Sequence, residues 1–121
     1  MEKEIAMDVG IQSFGVYLPY YYMARETIGS AWETKGQKGT KSITNVDEDT
    51  VTMAVEAAMD CFRFIDREDI TDLYFASTTA PYAEKAHGAL IAVACDLGNK
   101  GLFSGDFAQS TRAGTTPLRA P

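Results

Sequence analysis

Asp106-Phe-Ala-Gln-Ser-Thr-Arg-Ala-Gly-Thr115 is the stretch on which the reading of this chain turns. A short apolar run, Gly101-Leu-Phe103, leads through Ser104-Gly105 into it, and a helix is predicted to start at Thr111 and reach Leu118. A strand that bends sharply into a helix presents one side chain at the helix N-terminus. Free N–H groups and the helix dipole favour developing negative charge there. That position suits a covalent acyl-transfer nucleophile. It equally suits a plain junction in which Ser110 or Thr111 only caps the helix. Pro117 fits such a helix only in its first turns, because an interior proline removes a hydrogen bond and clashes with the preceding turn.

Upstream, the pattern alternates between strand and helix. Residues 5–16 alternate imperfectly and predict a strand, residues 17–22 a Pro-broken aromatic turn, and residues 26–32 a short helix. Residues 33–43 are rich in Gly and Lys without an apolar period, and are expected to form an exposed loop. Val51, Ala54, Val55, Ala58, Phe62 and Ile65 then recur at helical spacing, one apolar face of a helix over residues 50–64. Asp49 is its expected N-cap, with Asp47 and Glu48 adding charge at the positive end. Residues 73–77 read as a buried strand. A second helix is expected over residues 84–97, with Leu90, Ile91, Ala94 and Leu97 facing inward and a stop at Gly98-Asn99. A strand near Leu102 and the helix from Thr111 complete a β-α-β-α-β-α alternation. The fold class is therefore α/β, a largely parallel or mixed sheet with covering helices.

At 121 residues and 13.2 kDa the chain is long enough for one domain that buries roughly two-thirds of its unfolded surface. With 45% apolar and 23% charged residues it matches neither a disordered nor a membrane protein. A net charge of -6 argues against nucleic acid as a partner, although local Lys and Arg can still line one groove for an anionic coenzyme. Met1-Glu-Lys-Glu4 is charged and no apolar run follows, so no signal peptide is expected. Cys61 and Cys95 each fall inside a predicted helix without metal-ligand spacing. They are expected to be buried free thiols in a reducing, cytoplasmic setting, with no metal bound.

Several segments together resemble the 3-hydroxy-3-methylglutaryl-CoA synthase family, a branch of the thiolase superfamily. They are Gly10-Ile-Gln-Ser-Phe-Gly-Val-Tyr-Leu-Pro19, Ile28-Gly-Ser-Ala-Trp32, Asp47-Glu-Asp-Thr-Val-Thr-Met-Ala-Val-Glu-Ala-Ala58, Ala76-Ser-Thr-Thr-Ala-Pro-Tyr-Ala-Glu-Lys85 and the stretch from Asp106 to Thr115. The resemblance covers essentially the whole chain and rests on the ensemble. It implies the first half of a thiolase-like fold, an acyl-CoA substrate class and acyltransferase or condensing chemistry. The coenzyme A thioester would act as substrate, with no separate cofactor. A homo-oligomer is also implied, with a zinc-ribbon and OB-fold protein as a working partner.

In that family a Cys nucleophile stands at the helix N-terminus, a Glu stands in the upstream strand–loop, and a His comes from the second half. A thiolate holds the acyl group while a base removes a proton beside a thioester carbonyl. Matching the motifs residue by residue puts the family's Cys at Thr111 and its Glu at Thr78; an offset of one position would put Ser110 at the nucleophile. A hydroxyl without an adjacent base is a poor nucleophile, and Thr cannot act as a base. Tyr82 and Lys85 fall in the loop at the mouth of the family's site and are candidates to touch acyl-CoA. Arg25 is a candidate for coenzyme phosphates, as is Arg112, where the family often has Lys. His87, the only histidine, falls early in the second helix and reads as a surface or capping residue rather than a base.

Thiolase-superfamily subunits carry two similar halves, and this chain matches the first. Residues 1–121 are thus expected to be a truncated N-terminal half-domain. Its rival reading is a non-catalytic thiolase-fold subunit or scaffold that pairs with a partner chain.

Overall fold

The computed structural model describes residues 9–97, 101–108 and 110–119. Two small units of strand and helix make up the fold. In the first, β1 (Tyr21–Ala24) runs directly into α1 (Arg25–Ala31), and β2 (Thr40–Ile43) returns antiparallel to β1, pairing Tyr21 with Ile43 and Ala24 with Thr40. In the second, α2 (Thr50–Cys61), β3 (Asp72–Ser77), α3 (His87–Ala94) and β4 (Phe103–Ala108) follow in order. Strands β3 and β4 are parallel, in register from Asp72 with Phe103 to Ser77 with Ala108. This is the α/β class that the alternation implied, with its described strands in two separate pairs.

Local chemistry explains where α2 starts. The Asp49 carboxylate accepts from the Val51 and Thr52 N–H groups at 2.9 and 2.8 Å, and the Thr52 hydroxyl accepts from the Asp49 N–H at 2.8 Å. This reciprocal capping box satisfies donors that the first turn leaves unpaired. The helix closes at Cys61 with Phe62 as C-cap, three residues before the expected end. Helix α3 is shorter than expected at both ends. Asp96, at φ 57°, takes the left-handed conformation that ends it, and the Leu97 N–H donates to the Ala92 carbonyl at 2.8 Å. The stop expected at Gly98-Asn99 lies outside the described residues.

The core lies between α3 and the β3–β4 pair. Phe75, Ile91, Ala92, Cys95 and Leu97 are buried, and Val51, Ala54, Val55, Ala58 and Phe62 of α2 and its cap close over them. The apolar face read from α2 is therefore the face it packs with. The inward face of α3 differs from expectation: Ile91 and Leu97 are buried, whereas Leu90 is 40% exposed and Ala94 is exposed. Helix α3 is apolar on most sides, so periodicity could not single out the face that meets β3 and β4.

Three expected elements are corrected. Among the described residues 9–16 there is no strand. This segment lies extended along α2, tied by the Ser13 hydroxyl to the Cys61 carbonyl at 2.9 Å and by the Val16 N–H to Asp60 at 3.2 Å. Gly15 permits that approach, since a Cβ there would stand 2.1 Å from the Ala57 carbonyl oxygen. Residues 5–8 of the expected strand lie outside the described residues. The expected loop at 33–43 ends in β2, whose residues are almost wholly exposed and so show no alternation to read.

The third correction falls on the decisive stretch. Residues 111–118 do not form an α-helix; they wind in turns and finish in a short 3-10 turn at Pro117–Arg119. The Thr115 and Thr116 N–H groups and both their hydroxyls all converge on the Arg112 carbonyl, at 2.9–3.1 Å. Threonine hydroxyls offer the backbone a local alternative to the helical ladder. Gly114 and Pro117 weaken the ladder further.

Candidate functional site

The carboxyl ends of β3 and β4 lie side by side, and the chain that leaves β3 folds back over them. In open α/β sheets this is where ligands bind, because loops from neighbouring strands diverge there and leave a crevice. A cleft of about 470 Å³ occupies the place, lined by Thr78, Pro81, Tyr82, Lys85, His87 and Asp106 among others.

One polar cluster builds its wall. Helix α3 has Ala86 at its N-cap position, which has no side-chain acceptor for the first N–H groups. Asp106, from the middle of β4, supplies it. Its Oδ2 accepts from the His87 N–H at 2.7 Å, its Oδ1 accepts from the Gly88 N–H at 2.8 Å, and the His87 ring Nδ1 donates to Oδ2 at 2.8 Å. Gly88 keeps the approach open: a Cβ there would stand 3.2 Å from Asp106 Oδ1 and 3.3 Å from Ser104 Cβ. Partial burial works against ionisation of Asp106, but the Gly88 and His87 N–H groups and the His87 ring outweigh it and hold the carboxyl below its usual range.

His87 is 4% exposed, so the reading of it as a surface residue is corrected. Its ring packs against Phe75, with centroids 5.3 Å apart, and stacks with Tyr82 at 5.7 Å. The second ring nitrogen, Nε2, accepts from the Tyr82 backbone N–H at 3.1 Å. With Nδ1 donating and Nε2 accepting, both nitrogens are committed and the ring is the Nδ1–H tautomer. Lys85 completes the column, its Nζ 4.7 Å from the centre of the Tyr82 ring. These contacts fix the 78–87 loop as a shaped wall.

Of the residues singled out in the sequence, the cleft gathers Thr78, Tyr82 and Lys85. Ser110, Thr111 and Arg112 lie beyond it in exposed turns, where the Ser110 hydroxyl accepts from the Arg112 N–H at 3.1 Å. Ser110 thus acts there as a turn-capping side chain. Arg25 opens α1 in the other unit and donates to the Gln37 side chain at 3.1 Å. The His87–Asp106 pair is the part that sequence reasoning missed. Its only signals were a carboxylate in the middle of a strand-forming run and a sole histidine at a helix start.

The cleft lining includes neither Cys nor Glu. Cys95 is fully buried, and desolvation of its thiolate raises the thiol pKa against the opposing pull of Arg67. The Tyr82 ring and the Lys85 ammonium are both on that lining. No group of three or more His, Cys, Asp or Glu among the described residues could hold a metal ion. No described helix is long and apolar enough to cross a membrane.

No family model matches the chain. Hydroxymethylglutaryl-CoA synthase of Thermococcus sibiricus is 35% identical over 116 residues, covering 93% of this chain and 33% of that protein. The enzyme of the same name from Pyrococcus horikoshii is also 35% identical with the same coverage. That of Methanocella arvoryzae is 33% identical over 121 residues, or 35% of its own length. The chain thus spans about a third of the length of these relatives. Among solved structures, 3-oxoacyl-[acyl-carrier-protein] synthase III from Aquifex aeolicus superposes with a TM-score of 0.69 at 21% identity, over 88% of this chain and 37% of that one. The priming β-ketosynthase of the R1128 polyketide pathway superposes with a TM-score of 0.60 at 18% identity, over 81% of this chain and 31% of its own. The fold is the one these synthases share, present in part.

Proposed function

We propose, since the chain belongs to the 3-hydroxy-3-methylglutaryl-CoA synthase-like family of the thiolase superfamily and carries its N-terminal portion, that it contributes an acyl-CoA-binding wall to a condensing-enzyme-like site. The observation that supports this is the cleft at the paired ends of β3 and β4, with Thr78, Tyr82 and Lys85 on it. The Tyr82 ring and the Lys85 ammonium suit an acyl chain and an anionic coenzyme respectively. Arg25 and Arg112, the other phosphate candidates by resemblance, are not on the cleft lining. Thr78 and Thr111 stand where the family has its Glu and Cys, so residues 1–121, a half-domain, do not condense acyl groups unaided. Activity in a full assembly would need those catalytic groups from another polypeptide segment; a homo-oligomer and a zinc-ribbon and OB-fold partner in the cytoplasm belong to the same reading.

A second reading, a non-catalytic thiolase-fold subunit or scaffold, draws on the same two threonines and on the committed ring of His87. Both readings predict that incubation with radiolabelled acetyl-CoA, followed by denaturation, leaves no label on Thr111 or Ser110. Equilibrium dialysis separates them. Saturable acetyl-CoA binding, weakened about tenfold by Lys85→Ala through loss of one charge-assisted contact worth roughly 1.4 kcal/mol, is the outcome of the first. Absence of binding supports the scaffold, and a stable acyl adduct on either hydroxyl would overturn both.

A further inference from the structure

We infer that His87 is a proton-operated latch on the 78–87 loop: its Nε2 holds the Tyr82 N–H while the ring is neutral, and gaining a proton there releases the loop. The geometry carries this. The two ring nitrogens face opposite chemistries, the Asp106 carboxylate at 2.8 Å from Nδ1 and a backbone donor, the Tyr82 N–H, at 3.1 Å from Nε2. A proton added to the ring must go to Nε2, because Nδ1 already donates to Asp106. The acceptor then becomes a donor pointed at another donor, and the Tyr82 hydrogen bond is lost outright.

The groups around the ring push the same way. Among the described residues, Asp106 on β4 is the carboxylate bonded to the ring, whose side chain is only 5% exposed. Phe75, the contact from β3, carries no charge. From the loop itself, the Tyr82 ring is stacked on His87 and already has the Lys85 ammonium 4.7 Å from its centre. A charged His87 would bring a second cation to the same ring. Helix α3 adds no other titratable side chain from its eight residues. Tyr82 also lines a separate groove of about 700 Å³ alongside α2 and α3. Its release therefore removes a wall shared by the cleft and the groove.

This inference stands on the hydrogen bonds alone and does not need acyl-CoA to bind, so its failure and that of the proposed function are separable. The chain holds a single histidine, so its ring nitrogens give unambiguous signals in a 15N-labelled sample. At pH 8 they should report the Nδ1–H tautomer. As the ring gains its proton on acidification, the Tyr82 amide should lose at least about tenfold in exchange protection relative to its intrinsic rate. The amides of Phe75 and Gly105 in the β3–β4 ladder should keep theirs. His87→Gln, whose amide oxygen accepts without titrating, should make Tyr82 protection independent of pH. Should that variant fail to fold, the wild-type tautomer and exchange data decide the matter. An Nε2–H tautomer at pH 8, a ring that stays neutral throughout, or Tyr82 protection unchanged as the ring titrates would each overturn the latch.

Discussion

The chain leaves β3 and β4 at neighbouring points, and the two exits could hardly be treated more differently. After β3, residues 78–87 fold back and are tied to another element: His87 and Gly88 to Asp106 on β4, Tyr82 to His87, and Lys85 onto Tyr82. After β4, the hydrogen bonds of residues 110–119 among the described residues are local ones, centred on Ser110 and the Arg112 carbonyl, with Leu118 84% exposed. Ala113 is the one buried side chain of that stretch. One exit is shaped by tertiary contacts between residues far apart in sequence, the other by local turn chemistry. A binding wall needs the first kind of construction, because its side chains must be held before a ligand arrives.

The sharpest way to break this contrast is at Asp106. Asp106→Asn removes the charge from three hydrogen bonds and replaces one of the two acceptor oxygens with a donor NH2 group. A loss on the order of 3 kcal/mol follows, since bonds to charged groups are worth about 1.5–3 kcal/mol each and are partly retained by the amide. Denaturant unfolding measures it, and a change under about 1 kcal/mol would mean that the β3 exit is no better anchored than the other.

A smaller and graded version of the same loss follows from acid. The Asp106 carboxyl is held below its usual range in the folded chain, so its contribution is complete above the ordinary carboxylate pKa of about 3.9 and drains away as the pH falls through the depressed value. Stability in wild type should therefore decline more steeply than in Asp106→Asn below about pH 4. Parallel acid unfolding curves for the two proteins would contradict this.

The smallest effect belongs to the other exit. Thr111→Ala should cost less than about 0.5 kcal/mol, the usual range for exposed positions outside special contacts, and Ser110→Ala, which loses one exposed turn bond, no more than about 1 kcal/mol. A cost above about 1.5 kcal/mol at Thr111, measured by thermal unfolding, would show that the segment is anchored after all.

What could be read from the sequence follows the same division. Helix α2 and its cap were legible because Asp49, Thr52 and the Val51–Ala54–Val55–Ala58 face lie within a few turns of one another. The α/β class was legible from alternation, and the family from motifs spread along the chain. The cleft could be placed near Thr78, Tyr82 and Lys85 only through that resemblance. The His87–Asp106 bond was out of reach, since no local period links a helix start to the middle of a later strand. Strand β2 was hidden by exposure on both faces. The helix expected at Thr111 does not form because the hydroxyls of Thr115 and Thr116 claim the Arg112 carbonyl for themselves.

The parallel pairing of β3 with β4 also carries a consequence for the order of events during folding. An antiparallel pair can zip outward from a turn, but parallel strands cannot meet until the crossover between them has been closed. Loop-closure entropy must then be paid before the ladder returns any of it, which makes such pairings slow. Helix α3 lies on that crossover, and Asp106 joins the helix start to the strand that arrives last. Substitutions at Asp106 should accordingly act on the step that docks β4.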